Sequence, residues 1–214
     1  MLIELIDKYY QDKREERNQE HFYITDVGKC PRAVYFSMKH YPREKADPRA
    51  LRIFDRGDIT HQRLMSTLFG IPEIRVVASE IDIPSKELFH GRADAIICLN
   101  NKLYIVEFKS SSEFKFRKLE GPETAHRKQL QLYMHYFKIP QGIFIYENKN
   151  TQDLKEFEER YDPDLCKRVI SDFEVLKKYI EDEIIPPKPK DLEPWQCEYC
   201  DFKKVCQKIE EENK

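Results

Sequence analysis

The sequence predicts an α/β fold in which amphipathic helices cover a β-sheet. Three observations point to it. The runs "ADAIICL" and "KLYIVEF" meet at Asn100 and Asn101, residues that tolerate positive φ and suit a two-residue hairpin turn. "GIFIYENK" reads as a buried strand, and "LKEFEERY" alternates like its exposed partner. Around these strands lie segments with helical periodicity, among them "PRALRIFDRGDITHQRLMSTLFG" and "ETAHRKQLQLYMHYF".

The chain has 214 residues, 40% hydrophobic and 36% charged. That composition suits a folded globular protein and excludes a disordered one. We expect one domain over 1–214, with a helical N-terminal part at 1–48 and a cysteine-bearing segment at 184–214. A net charge of −2 gives no overall basic field, so a nucleic-acid partner would need a local basic surface. The first twenty residues mix acids and bases and do not form a signal peptide. No apolar run is long enough to span a bilayer. The expected location is therefore cytoplasmic, with no membrane partner. In a reducing compartment, the six cysteines point to metal or catalysis before disulfides.

The expected elements follow in order. Residues 2–18 form a polar helix. Pro31 opens a second helix just after Cys30. The long helix that follows places Leu51, Phe54, Met65 and Leu68 on one side. A strand runs from about Ile74 to Ile83, followed by the Asn100-Asn101 hairpin. The helix over 123–137 carries an apolar stripe of Leu130, Met134 and Phe137. Another amphipathic helix covers 163–182. The connector "IIPPKPKDLEPWQ" is too rich in proline to be helical.

The hairpin carries the chemistry. With Asn100-Asn101 as the turn, Leu99 faces Lys102 and Asp94 faces Glu107. Cross-strand Cβ atoms lie about 4.5 to 5.5 Å apart. Lys109 shares a face with Glu107, and Arg92 falls opposite Lys109. Two facing carboxylates repel, so they need a cation between them or a retained proton. A hard divalent ion prefers such oxygens, and an adjacent lysine would hold a phosphate oxygen or orient a water. That set suits phosphodiester hydrolysis. The alternative is a surface ion-pair ladder of Arg92, Asp94, Glu107 and Lys109. On charges alone the ladder is slightly favoured; the apolar neighbours Ile96, Val106 and Phe108 argue against it.

On the long helix, Leu51, Phe54, Asp58, His61, Met65 and Leu68 follow helical spacing, which puts His61 on the core side. Gly57, one turn earlier, permits a close approach. A lone histidine on such a face is more often a core residue than a ligand. Here it would complete a His, Asp, Glu set, which also suits Mn²⁺. Gln129 and Tyr133, one turn apart, can touch one patch or form an ordinary helix surface.

Taken in order, Gly57 to His61, Asp94, Glu107-Phe108-Lys109 and Gln129-Leu130-Gln131-Leu132-Tyr133 resemble the RecB-like branch of the PD-(D/E)xK nucleases. "KCPRAVYF" and Cys197, Cys200 and Cys206 narrow the resemblance to the CRISPR-associated RecB-like exonucleases, the Cas-four family. Ala93, rather than proline, precedes Asp94. The resemblance implies a restriction-endonuclease-like core and a Mg²⁺ or Mn²⁺ site of His61, Asp94, Glu107 and the Phe108 backbone carbonyl. It implies Lys109 as the catalytic lysine, with Gln129 and Tyr133 supporting the site or the DNA.

Cys197, Cys200 and Cys206 form a metal motif in which four thiolates suit either zinc or an iron–sulfur cluster; spacing alone leans towards zinc, the commoner occupant. The resemblance implies a structural [4Fe–4S] cluster with Cys30 as fourth ligand. Cys98 and Cys166 read as core thiols. Arg32, Arg49, Arg52, Arg56, Arg63, Lys115, Arg117 and Lys118 are candidate phosphate contacts. Tyr35, Phe114 and Phe116 would stack bases or pack in the core. The expected activity is metal-dependent cleavage of DNA with single-stranded character or frayed ends, in spacer acquisition beside the CRISPR integrase complex. The alternative is a non-catalytic zinc- or iron–sulfur-bearing DNA-binding subunit.

Overall fold

The structure is a computed structural model, described over residues 1–13, 18–84, 87–190, 192 and 194–212. The first part of the chain forms α1 (Leu2–Lys13), β1 (Phe22–Tyr23), a 3-10 turn (Ile24–Asp26), α2 (Pro31–Met38) and α3 (Pro48–Phe69). Then come β2 (Arg75–Asp82), β3 (Phe89–His90), β4 (Arg92–Leu99) and β5 (Lys102–Ser111). After α4 (Glu113–Lys118) and α5 (Thr124–Phe137) follow β6 (Gln141–Asn148) and β7 (Leu154–Arg160). The chain closes with α6 (Pro163–Glu181), α7 (Pro194–Glu198) and α8 (Lys203–Glu212).

These elements divide into two compact units. One contains 1–22, 29–55 and 171–214; the other contains 23–28 and 56–170. The second unit holds a five-stranded mixed sheet in the order β2-β4-β5-β6-β7. Its β4–β5 hairpin turns on Asn100 and Asn101, with φ of 50° and 60°. Asparagine reaches this left-handed region at low cost, and the mirror-image turn matches the strand twist. Pairing runs from Leu99↔Lys102 to Ala95↔Val106, the expected register. Beyond Ala95 the ladder stops: Arg92 pairs with Asp82 of β2, not with Lys109. β5 and β6 are parallel, and β6 pairs antiparallel with β7.

One core cluster joins Leu64 of α3 to Ala95, Ile97, Val106, Phe108 and Ile143. Each fully buried large apolar side chain there contributes about 1.5–3 kcal/mol. α5 packs on β5, β6 and the 3-10 turn. Gly142 makes this close contact possible, because a Cβ there would lie 2.8 Å from Leu130 Cδ2.

Several expected elements shift. α1 ends at Lys13, and 14–17 lie outside the described residues. Phe54 is 64% exposed and Asp58 is exposed. The inward face of α3 is instead centred on Thr60 and Leu64, with His61, Met65 and Leu68 beside them. α5 is buried from Gln129 through Met134, while Phe137 is only half-buried. Material on more than one side of this helix erases the single stripe. The end of the proline-rich connector forms α7, with Pro194 at its start, where a missing N–H costs nothing. Cys166 is buried, whereas Cys98 is half-buried.

Candidate active site

The β4–β5 ladder ends where the acidic residues begin. Asp94 Oδ2 accepts the Phe108 N–H at 2.7 Å, and Glu107 Oε1 accepts the Asp94 N–H at 3.3 Å. Two carboxylates thus replace the ladder's backbone carbonyls. The strands hold the two acids side by side, as two-residue alternation requires. α3 brings His61 across, with Nδ1 3.4 Å from Asp94 Oδ1. Lys109 Nζ reaches back along its own strand to Glu107 Oε2 at 2.9 Å.

Burial is the largest influence on each group. At Asp94 it raises the pKa, but His61, Lys109 and the Phe108 N–H outweigh it and hold the carboxyl below its usual range. At Glu107 burial prevails and the pKa rises. At Lys109 burial opposes the charge, but Glu107 and Asp94 raise the pKa above the ordinary lysine value. At His61 burial likewise lowers the pKa, and Asp94 reverses it to a net rise. Glu107 is 3% exposed, so the surface ion-pair ladder is not formed. Arg92 turns away to Glu80 at 3.5 Å.

α5 lines the same neighbourhood. Gln129 and Tyr133 are buried on it, and the Tyr133 hydroxyl donates to the Arg92 carbonyl at 2.8 Å. Burial, followed by the charges of Glu107 and Asp94, raises the Tyr133 pKa. Among the described residues, no group of three His, Cys, Asp or Glu stands in a metal-holding arrangement. Glu107 is engaged by Lys109 and the Asp94 N–H. Mg²⁺ does not need a closed protein cage; it commonly takes one or two carboxylates plus water and substrate phosphate. The imidazole and two carboxylates therefore fit such an ion by chemistry.

The sequence matches the PD-(D/E)XK nuclease superfamily over residues 4–207. The chain belongs to that superfamily. This nuclease is 28% identical to the CRISPR-associated exonuclease Cas4 of Saccharolobus solfataricus, covering 96% of this chain and 95% of that one. It resembles the crystal structure of SSO0001 with a TM-score of 0.60 and 26% identity, covering 96% of each chain. It shares its fold with an alkaline exonuclease of Laribacter hongkongensis, with a TM-score of 0.56, 14% identity, and 94% and 99% coverage.

In the nuclease's other unit, Cys30, Cys197, Cys200 and Cys206 line one cavity of about 310 Å³. Cys30 precedes α2 as its N-cap residue. Arg32 Nη1 lies 3.4 Å from Cys206 Sγ and 3.0 Å from Glu210 Oε1.

Most of the candidate phosphate contacts already have protein partners. Arg52 pairs with Asp7, Arg63 with Glu147 and Arg117 with Glu113. Lys115 lies 4.0 Å from Glu123, and Lys118 stacks on Phe114. Tyr35 and Phe116 are core residues, while Phe114 is 70% exposed. The sequence reading did not single out three neighbours of the site. His126 Nδ1 is 2.8 Å from the Tyr146 hydroxyl, and Tyr146 pairs with Lys109 across β5–β6. Lys149 follows the last residue of β6, and its N–H donates to the Ser111 carbonyl. His126 precedes Gln129 by one turn, the one sequence signal that pointed to it.

Proposed function

We propose that this chain is a divalent-metal-dependent DNA nuclease that hydrolyses phosphodiester bonds in DNA with single-stranded character. The observation that carries the reading is the convergence of His61, Asp94, Glu107 and Lys109 where the β4–β5 ladder opens. Names borne by relatives at 28% and 14% identity, both exonucleases, favour an action on DNA ends. The Cas4 relative, matched along nearly its whole length, supports a place in CRISPR spacer acquisition beside the integrase.

His61, Asp94, Glu107 and the Phe108 carbonyl would hold the ion. Bound there, Mg²⁺ or Mn²⁺ supplies Lewis acidity and charge neutralisation at the scissile phosphate. The residues do the rest. His61 and Lys109 keep Asp94 deprotonated and ready as an oxygen donor. Lys109 presents a cation to a phosphate oxygen or orients the attacking water. Tyr133 ties α5 to β4 at Arg92, two residues from Asp94, and so positions the acid.

Four thiols around one cavity also fit a [4Fe–4S] cluster held by Cys30, Cys197, Cys200 and Cys206. Each thiolate of such a cluster binds its own iron, so the four sulfurs surround a volume. A zinc ion needs all four to converge on one point. The four thiols around one cavity support the cluster reading. Its role would be to fasten the early and late segments of that unit.

The test is digestion of end-labelled single strands, duplexes and closed circles with Mg²⁺, Mn²⁺ or a chelator. Single strands and frayed ends are expected to be cut only with the ion. Binding without cutting under every condition would favour the non-catalytic subunit and overturn this proposal.

A further inference from the structure

We propose that Arg56 and Lys149 form a subsite for a DNA backbone phosphate just beyond Lys109; the inference rests on the nuclease reading. Arg56 lies on α3, five residues before His61, and its guanidinium donates to the Lys149 carbonyl. The Lys149 N–H donates to the Ser111 carbonyl at 2.9 Å. The Lys149 backbone is therefore held on both sides. The turn that follows is closed as well: Asn148 Oδ1 accepts the Asn150 N–H at 3.0 Å, and the Asn148 carbonyl accepts the Gln152 N–H at 2.9 Å. The Arg56 guanidinium and the Lys149 backbone thereby meet at the C-terminal ends of the parallel strands β5 and β6, and the two positive charges lie close enough to influence each other.

Their neighbours show why these two are singled out. Arg63 is neutralised by Glu147, Arg117 by Glu113, and Arg127 by Glu159. Among the described residues, neither Arg56 nor Lys149 pairs with a carboxylate. Burial, then the charges of Arg56 and Lys115, lowers the Lys149 pKa. Cations crowded without a counter-ion are stabilised by an arriving anion.

The position suits a neighbouring phosphate of the same strand. Ser111 lies two residues past Lys109, about 7 Å along a β-strand. That is the scale of the spacing between neighbouring backbone phosphates, so the pair stands where an adjacent phosphate of the same strand would lie. α3 and β5 lie close together here: a Cβ at Gly57 would be in ordinary contact with Ser110 Oγ, at 3.9 Å. A strand with one diester at Lys109 brings the next phosphate to Arg56 and Lys149.

The test measures anisotropy of a fluorescent single-stranded oligonucleotide against salt, with cleavage measured in parallel, for the full chain, Arg56→Gln, Lys149→Gln and Lys177→Gln. Lys177 carries the same charge and lies 3.8 Å from Glu181 in the other unit. Each of the first two variants is expected to bind about fivefold more weakly at 0.1 M salt, with the log–log salt slope shallower by about 0.7. KM should rise and kcat hold, and Lys177→Gln should match the parent. Unchanged affinity and slope in an active nuclease would overturn the subsite and leave the nuclease reading intact. Weakened binding by a protein that cuts no DNA would do the reverse. A fall in affinity without a change in slope, or with a lowered Tm, would assign the two residues a structural role and also overturn the subsite.

Discussion

The backbone N–H of Phe108 donates to Asp94 Oδ2 at 2.7 Å, so a side chain occupies a place in the sheet that a backbone carbonyl would normally fill. This bond orients Asp94 and ends strand pairing at the same point. Asp94→Ala removes an acceptor from a buried N–H and is expected to cost about 1–3 kcal/mol. Asp94→Asn keeps an oxygen there and should lose much less. Chemical denaturation of both variants checks the difference.

Lys109 and Glu107 form a buried pair whose members depend on each other. Lys109→Met leaves the Glu107 carboxylate without its nearest cation, and a loss of about 3 kcal/mol is expected. In the Lys109→Met, Glu107→Gln double variant most of that loss should return, although the protein stays inactive. A double-mutant cycle on Tm or denaturation midpoint reads the coupling. Additive losses would show that the pair contributes no specific stability.

His126 predicts a pH dependence. Burial first, then the charges of Lys109 and Lys115, lowers its pKa from 6.5 to about 4. A histidine with a depressed folded pKa stabilises the fold fully above its unfolded value. The contribution is lost as pH falls from about 6.5 towards 4. By pH 5 the loss is about 2 kcal/mol. His126→Gln should therefore lose less stability than the parent between pH 7 and pH 5. Parallel stability curves for the two proteins would contradict this.

Gly142 sits where α5 touches the sheet. A methyl group there would meet Leu130 Cδ2 at 2.8 Å, so Gly142→Ala is expected to destabilise by about 1–3 kcal/mol. Adding Leu130→Ala should relieve the overlap, making the double variant more stable than the sum of the two single losses predicts.

The proposed cluster has a visible signature. Protein prepared without oxygen should be brown, and Cys30→Ser should bleach it, while Cys98→Ser keeps the colour. Cys98 pairs with Leu103 in the hairpin and is not among the cavity residues. A colourless parent with bound zinc would count against iron.

The hairpin was legible because two local rules fix it. The asparagine pair sets the turn, and two-residue alternation then places Asp94 next to Glu107 without reference to the rest of the chain. The face of α3 was less legible. Its apolar residues fit a regular three-and-four spacing on the side of Phe54 and Asp58, yet Thr60 and Leu64 point inward. Which side of an amphipathic helix is covered depends on the surface that meets it. The parallel pairing of β5 with β6 and the meeting of Arg56 with Lys149 are long-range relations that no local pattern encodes. The same holds for Tyr133 and Arg92, 41 residues apart.

The most direct measurement is the cleavage rate of an end-labelled single-stranded DNA in Mg²⁺ or Mn²⁺ by the parent, Asp94→Asn and Glu107→Gln, with folding monitored by circular dichroism. The opened hairpin as catalytic centre predicts folded variants slowed by about a hundredfold or more. Folded variants that cut as fast as the parent would place the chemistry elsewhere in the chain.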